Sequence, residues 1–143
     1  MIENIHSQAK LLAVIIRSSY KSENIEFFTP SNFSQQLGYM NRSKGYEISP
    51  HVHNPIKREV EYTKEVLFIK SGEVRVDFYA ENQKYIESRI LFTGDVILLA
   101  YGGHGFVMLK DSEIIEVKQG PYAGDSDKTR FDSVSNEKVK LVK

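Results

Sequence analysis

The sequence predicts an all-β fold, an antiparallel sandwich or barrel, in a single domain. Short apolar segments alternate with turn-forming residues at intervals of about 8–12 residues, which is typical of antiparallel β-proteins. From Glu73 to Tyr79 apolar and charged side chains alternate, as expected of a strand with one buried face. A chain of 143 residues is long enough for one hydrophobic core, so no second domain is required.

Four segments in the first half of the chain are candidate strands. Residues 11–16 are apolar and largely β-branched, which favours a strand. The alternative is a helix with an apolar face formed by Ile2, Ile5, Ala9, Leu12 and Ile16. A short extended piece ends at Pro30, because proline excludes the residue before it from the helical region. Residues 37–42 and 45–53 are expected to form two strands around a turn at 43–45.

The clearest β pattern lies in the second half of the chain. Residues 65–70 and Glu73–Tyr79 are expected to pair as a hairpin around Gly72. Further strands are predicted at Tyr85–Phe92, Val96–Leu99, 106–109 and 114–117. The core of the domain is expected at about residues 35–118, with a turn segment and tail at 119–143. The lysine-rich end of the chain is either a frayed tail or a last edge strand.

Composition excludes several classes of function. The 19 basic and 19 acidic side chains cancel and form no long block of one sign, which argues against nucleic acid or an anionic membrane as partner. The absence of cysteine excludes disulfides, thiolate nucleophiles and thiolate-bound metals. The longest apolar run, residues 11–16, is far below the ~20 residues that span a bilayer, and no basic leader precedes it. A cytoplasmic protein is expected.

Three histidines form the most informative pattern in the chain. In a strand, alternate residues share a face, so His51 and His53 could present two imidazoles to one metal ion. His104, in Tyr-Gly-Gly-His-Gly, could supply a third. Histidine is the commonest metal ligand near neutral pH. Because the chain has no cysteine, any metal must take nitrogen and oxygen ligands.

These residues resemble the two motifs of the cupin superfamily, over roughly residues 40–118. The first motif is reproduced by Gly45, His51, His53, Glu65 and Gly72. Eleven residues separate His53 from Glu65, where the family has roughly three or four, which implies an inserted loop. The second motif is matched by Gly94, Ala100, Gly102 and His104. Ala100 replaces a proline, one residue is missing before the histidine, and Met108 stands where asparagine is usual.

The resemblance implies a jelly-roll barrel that holds one divalent transition metal ion. Its ligands would be His51, His53, Glu65 and His104. Such a donor set suits iron, manganese, nickel, copper or zinc, and the sequence does not choose among them. Glu59 and Glu61, in the same inserted loop, are alternatives to Glu65. The alternation of Glu65 with Leu67 and Ile69 favours Glu65, because it puts that carboxylate on the inward face.

A fold alone does not define a reaction. The leading expectation from the resemblance is a metal-dependent protein acting on a small polar molecule, such as a sugar or sugar nucleotide, by isomerase- or epimerase-like chemistry. The alternatives are a non-catalytic binding or sensing module and a metal-dependent dioxygenase. Tyr46, Tyr62 and Tyr101 flank the motifs and are candidate ligand contacts. No catalytic residue is assigned.

Two further expectations concern partners. The turn-rich segment 119–131 carries Lys128 and Arg130, which could hold an anionic group of a ligand. The alternative is that this segment is an exposed turn or a dimer contact. A homodimer is expected, because antiparallel sandwiches have edge strands that proteins pair or cover. Residues 11–16 are the expected participant.

Overall fold

The computed structural model describes residues 1–143 and is all-β with antiparallel sheets, which confirms the predicted fold class at that level. The chain divides into two compact units. The first contains Met1–Tyr20 and Tyr62–Lys143, and the second contains Lys21–Glu61. No helix has the length and apolar character needed to cross a bilayer.

Ten strands and two short 3-10 helices make up the regular structure. The strands are β1 Ile2–Ser7, β2 Lys10–Ile16, β3 Ile25–Phe27, β4 Gly38–Met40, β5 Glu65–Ser71, β6 Glu73–Tyr79, β7 Tyr85–Phe92, β8 Val96–Leu99, β9 Gly103–Met108 and β10 Glu113–Lys118. The 3-10 helices are Gly124–Asp127 and Asn136–Lys138. Most of the predicted strands are therefore confirmed, to within one to three residues at each end.

The first unit is built from two sheets whose inward faces share one hydrophobic core. A five-stranded sheet has the order β1-β2-β8-β5-β10, and a three-stranded sheet has the order β7-β6-β9. Alternate residues of each strand point to the same face. The core accordingly takes Leu67 and Ile69 from β5, and Val74, Val76 and Phe78 from β6.

Strand β2 is interior rather than an edge. It pairs with β1 on one side and β8 on the other, and every residue from Leu12 to Ile16 is buried. The prediction that residues 11–16 mediate dimer contacts through a free strand edge is therefore wrong, because both edges of this strand are occupied. The homodimer itself stays a prediction.

The predicted hairpin of β5 and β6 is wrong, although both strands form. Strand β5 pairs with β8 and β10, and β6 pairs with β7 and β9, so the chain changes sheet between them. Gly72 makes this corner with a φ of +94°, and a Cβ there would collide with Ser112. Glycine is the residue that adopts this conformation without steric cost.

The strand predicted at 45–53 is also wrong. No strand lies between Met40 and Glu65, and residues 43–62 are exposed. A strand is stabilised by burial of one face, which this segment lacks. Pro50 and Pro55 also lack the backbone N–H that a sheet ladder needs. The regular structure of the second unit is the antiparallel pair of β3 and β4, in which Ile25 faces Met40.

The C-terminal segment packs on the outer face of the three-stranded sheet. The amide of Val134 donates to the Tyr79 hydroxyl at 2.9 Å, and the amide of Lys140 donates to the Tyr85 hydroxyl at 2.8 Å. Leu141 forms a single parallel bridge with Ser88. The lysine-rich end is thus tied to the sheet by a bridge, and it is neither a frayed tail nor a full edge strand.

Candidate functional site

Glu65 and His104 meet between the two sheets of the first unit. Glu65 begins β5 and has the inward register expected from its alternation with Leu67 and Ile69. His104 lies on β9, opposite Phe78 of β6. The Oε2 atom of Glu65 is 3.1 Å from Nε2 of His104. Two residues singled out by separate motifs are thus brought into direct contact.

Lys118 completes this cluster from the neighbouring strand. It is the cross-strand partner of Glu65 on β10, and its Nζ lies 2.9 Å from Oε1 of Glu65. The same ammonium is 3.5 Å from Oδ2 of Asp127, and Oδ1 of Asp127 accepts a hydrogen bond of 2.7 Å from the Thr63 hydroxyl. A continuous polar chain therefore links His104, through both carboxylates, to the first 3-10 helix.

The surroundings of Glu65 hold its carboxyl group ionised. The hydrogen bond with His104 lowers its pKa, burial raises it, and the hydrogen bond from Lys118 lowers it again, with a net pKa of about 2. The pKa of Lys118 is raised, chiefly by its bond to Glu65. Glu65 is therefore a fixed negative charge near neutral pH.

The His51 and His53 side chains lie side by side in the second unit. Their ring centroids are 5.2 Å apart and the rings are nearly perpendicular, at 79°. Nδ1 of His51 is 3.0 Å from the carbonyl oxygen of Ser49. Both side chains are exposed, and neither lies on a strand. The two imidazoles are neighbours, as predicted, but not because they share one face of a strand.

The four predicted metal ligands form two pairs, one in each unit. No group of three or more histidine, aspartate or glutamate side chains is arranged to hold a metal ion. Among the three candidate acidic ligands, Glu65 is partly buried against His104, whereas Glu59 and Glu61 are exposed.

Two of the three candidate tyrosines come together. Tyr62 and Tyr101 make an edge-to-face contact with centroids 4.9 Å apart. Tyr101 follows β8, whose Leu99 pairs with Glu65. Tyr46 lies in the second unit, where the Arg42 guanidinium is 4.7 Å from its ring centroid.

In the turn-rich segment, the cations selected from the sequence are not the residues that reach Glu65. Lys128 is exposed, and Arg130 makes a long 4.0 Å contact with the exposed Asp125. Asp127 of the same segment contacts Lys118 instead. Sequence reasoning missed both Asp127 and Lys118. Lys118 could have been found from the sequence, because it lies an even number of residues after Ile114. That spacing puts both side chains on the inward face of β10.

Comparison of the chain with protein-family models, with curated proteins and with solved structures gives no match.

Proposed function

We propose that this chain is a cupin-like protein that binds a small polar molecule next to Glu65 and His104. In this proposal His51, His53, Glu65 and His104 hold one divalent transition metal ion. The observation that carries it is the 3.1 Å contact between the Glu65 carboxylate and the His104 imidazole. The two motifs selected these residues independently, from segments far apart in the sequence.

The strand connections support the cupin-like, jelly-roll part of the proposal. The chain passes from the five-stranded to the three-stranded sheet between β5 and β6 and back between β7 and β8. It passes over again between β8 and β9 and back between β9 and β10. Passage of the chain between two packed antiparallel sheets is expected of a jelly roll. Gly72, the last residue of the first motif, stands at the first of these corners.

The Glu65–His104 pair fits part of a metal-binding set. Nitrogen and oxygen ligands at about 2.0–2.2 Å from one ion lie roughly 2.8–3.6 Å from each other, because adjacent ligands subtend about 90–109° at the ion. The observed separation of 3.1 Å falls within that range. The other two ligands, His51 and His53, are proposed from the sequence motif.

The side chains of the proposed site suggest how it would bind a polar ligand. When bound, a divalent ion would act as a Lewis acid on an oxygen atom of the ligand. Glu65 supplies a negative charge that stays ionised. In the absence of an ion its contact with Nε2 of His104 holds the two side chains together, and a bound ion would replace that hydrogen bond. Lys118 offsets the Glu65 charge and offers an ammonium to an anionic part of the ligand. Isomerase- or epimerase-like chemistry on a sugar is the proposed reaction class.

A metal-free binding module is the second candidate, and one observation favours it. Lys118 already neutralises Glu65 at 2.9 Å, which satisfies the carboxylate without any ion. In that case the pair would bind a ligand through hydrogen bonds alone, without turnover.

Elemental analysis of the purified full chain distinguishes the two candidates. The metal-binding proposal expects about one divalent transition metal ion per chain, because the four proposed donors would share one ion. The double variant His51→Ala with His53→Ala should lose most of it. His6→Ala is the matched control, since His6 is an exposed histidine on β1. A wild-type chain without stoichiometric metal, or a double variant with unchanged metal, would contradict the proposal.

A further inference from the structure

A second polar site lies in a surface pocket between two tight turns of the first unit. The β1–β2 turn and the β6–β7 turn face each other across a space of about 340 Å³. This volume is at the lower end of the range for small-molecule sites, about 300–1,000 Å³. Leu12 and Tyr101 provide apolar lining, and Gln8, Lys10, Glu81 and Asn82 provide polar lining. None of these residues belongs to the proposed metal-binding set.

Lys10, Glu81 and Tyr101 are joined in one cluster inside this pocket. The ammonium of Lys10 donates to the Tyr101 hydroxyl, lies 3.5 Å from Oε2 of Glu81, and sits 3.8 Å from the centroid of the Tyr101 ring. The Tyr101 ring also makes an edge-to-face contact with the ring of Tyr62. One positive and one negative group therefore stand together, and the pocket has no net charge.

The pocket also holds polar groups with unused hydrogen-bonding capacity. The side-chain amide of Gln8 makes no hydrogen bond within the protein. Asn82 uses only its oxygen, which accepts from the amide of Lys84 at 3.2 Å. A free amide group offers both donors and an acceptor. The pocket can therefore donate to and accept from the same ligand.

Each turn is held in an uncommon backbone conformation. Gln8 has a φ of +55° and Gln83 a φ of +66°, and they are the only non-glycine residues of the chain with positive φ. Such residues are uncommon, and they concentrate at ligand-binding sites where the surroundings hold them in place. Gln8 lines the pocket itself, and Gln83 belongs to the turn whose Glu81 and Asn82 line the opposite wall.

The charges and hydrogen-bonding groups of the pocket indicate which class of ligand it can bind. A simple anion or cation gains no net attraction there, because Lys10 and Glu81 act on it in opposite senses. A zwitterion would have to separate the ion pair that the two residues already form. A hydroxyl group both donates and accepts, and the C–H faces of a sugar ring can pack on an aromatic ring. We infer that the pocket binds a neutral polyhydroxylated molecule of about monosaccharide size, a function independent of the proposed metal site.

Ligand-observed saturation-transfer NMR on the full chain tests this inference. The neutral probes are myo-inositol and the methyl α-pyranosides of glucose, galactose and mannose, each at about 10 mM, where millimolar affinity is detectable. Inorganic phosphate and glycine are the charged comparison probes. Transfer to at least one neutral probe, with none to the charged ones, is the expected result. No transfer to any neutral probe, or preferential binding of phosphate in competition, would overturn the inference.

Two substitutions locate the binding. Lys10→Met and Glu81→Gln should each weaken binding of the neutral probe at least about tenfold, because each removes a charged hydrogen-bonding group. Lys84→Met is the control, an exposed lysine of the same turn outside the pocket lining, and should bind as the wild type does. Equal binding by all three folded variants would overturn the assignment to this pocket. Metal content, measured in the same samples, should not change, so this inference and the metal proposal can fail separately.

Discussion

Two charged clusters of the first unit differ in how exposed the partners of their carboxylates are. The first joins Glu3, Arg17, Arg89 and Asp95. Asp95 is 2% exposed and accepts hydrogen bonds from Arg17 at 2.7 Å, from the amide of Ser18 at 2.8 Å and from the amide of Phe92 at 3.0 Å. Glu3 binds Arg17 through one oxygen and Arg89 through the other. Both carboxylates of this cluster have charged partners.

The second cluster, around Glu65, has partners that are more open to solvent. The Glu65 side chain is 12% exposed, His104 is 29% exposed and Lys118 is 26% exposed. Glu65 has two side-chain partners, as Glu3 does, but the Arg17 and Arg89 side chains that pair with Glu3 are only 15% and 10% exposed. Solvent-exposed partners leave room for a ligand beside Glu65, as the proposed function requires.

The largest expected effect is on stability, at Asp95. Asp95→Ala leaves the Arg17 guanidinium and two backbone amides without their acceptor, and breaking a buried pair in this way costs about 3–5 kcal/mol. Urea unfolding followed by circular dichroism measures the loss. The control is Asp125→Ala, whose exposed carboxylate makes only a 4.0 Å contact, with an expected change below about 0.5 kcal/mol. Similar losses in both variants would mean that the buried contacts of Asp95 do not stabilise the fold.

The next effect is on metal binding, at Glu65. Glu65→Gln exchanges a charged ligand for a neutral amide and should weaken metal binding at least about tenfold, because Coulomb attraction to a divalent ion is lost. The fold should persist, since Gln keeps the shape of the side chain. Glu61→Gln is the control, because Glu61 is exposed. Metal loss in the Glu61 variant alone, measured by competition with a chelating dye, would show that the acidic ligand has been misassigned.

Lys118 gives a smaller effect of opposite sign. Lys118→Met removes the ammonium that competes with a metal ion for Glu65. Metal affinity should therefore rise by about two- to fivefold, consistent with the modest energy of a partly exposed ion pair. The metal-free alternative expects no metal in this variant and weaker binding of any anionic ligand. The same dye competition separates these outcomes.

The smallest effect is the acid dependence contributed by Glu3. Burial raises the pKa of its carboxyl group, but the bonds from Arg17 and Arg89 outweigh that and lower it below the ordinary value of 4.5. A carboxyl group with a lowered pKa contributes stability above its ordinary pKa and loses that contribution as the pH falls through its pKa in the folded state. The stability difference between wild type and Glu3→Gln should shrink between about pH 5 and pH 3. A difference that does not change over this range would mean that the pKa of Glu3 is not lowered by folding.

Local pattern was enough to predict most of the strands and half of the site. Alternation of apolar and charged residues defined β6 from Glu73 to Tyr79, because side chains of a strand point alternately to its two faces. The same alternation put Glu65 on the inward face, where it contacts His104. At residues 45–53 the alternation predicted a strand that does not form, because this segment is exposed. Period-two spacing predicts a strand only if one face becomes buried.

Strand partners were decided by the tertiary structure alone. Alternation shows which face of a strand is buried but not which strand lies beside it, so the corner at Gly72 was mistaken for a hairpin. Lys118 reaches Glu65 from a segment more than fifty residues away in sequence, and Lys10 reaches Tyr101 across 91 residues. The sequence by itself determined which residues face inward, because that depends on near neighbours. Only the packing of the two sheets determined which of those residues touch, because such contacts depend on chain pairing over long separations.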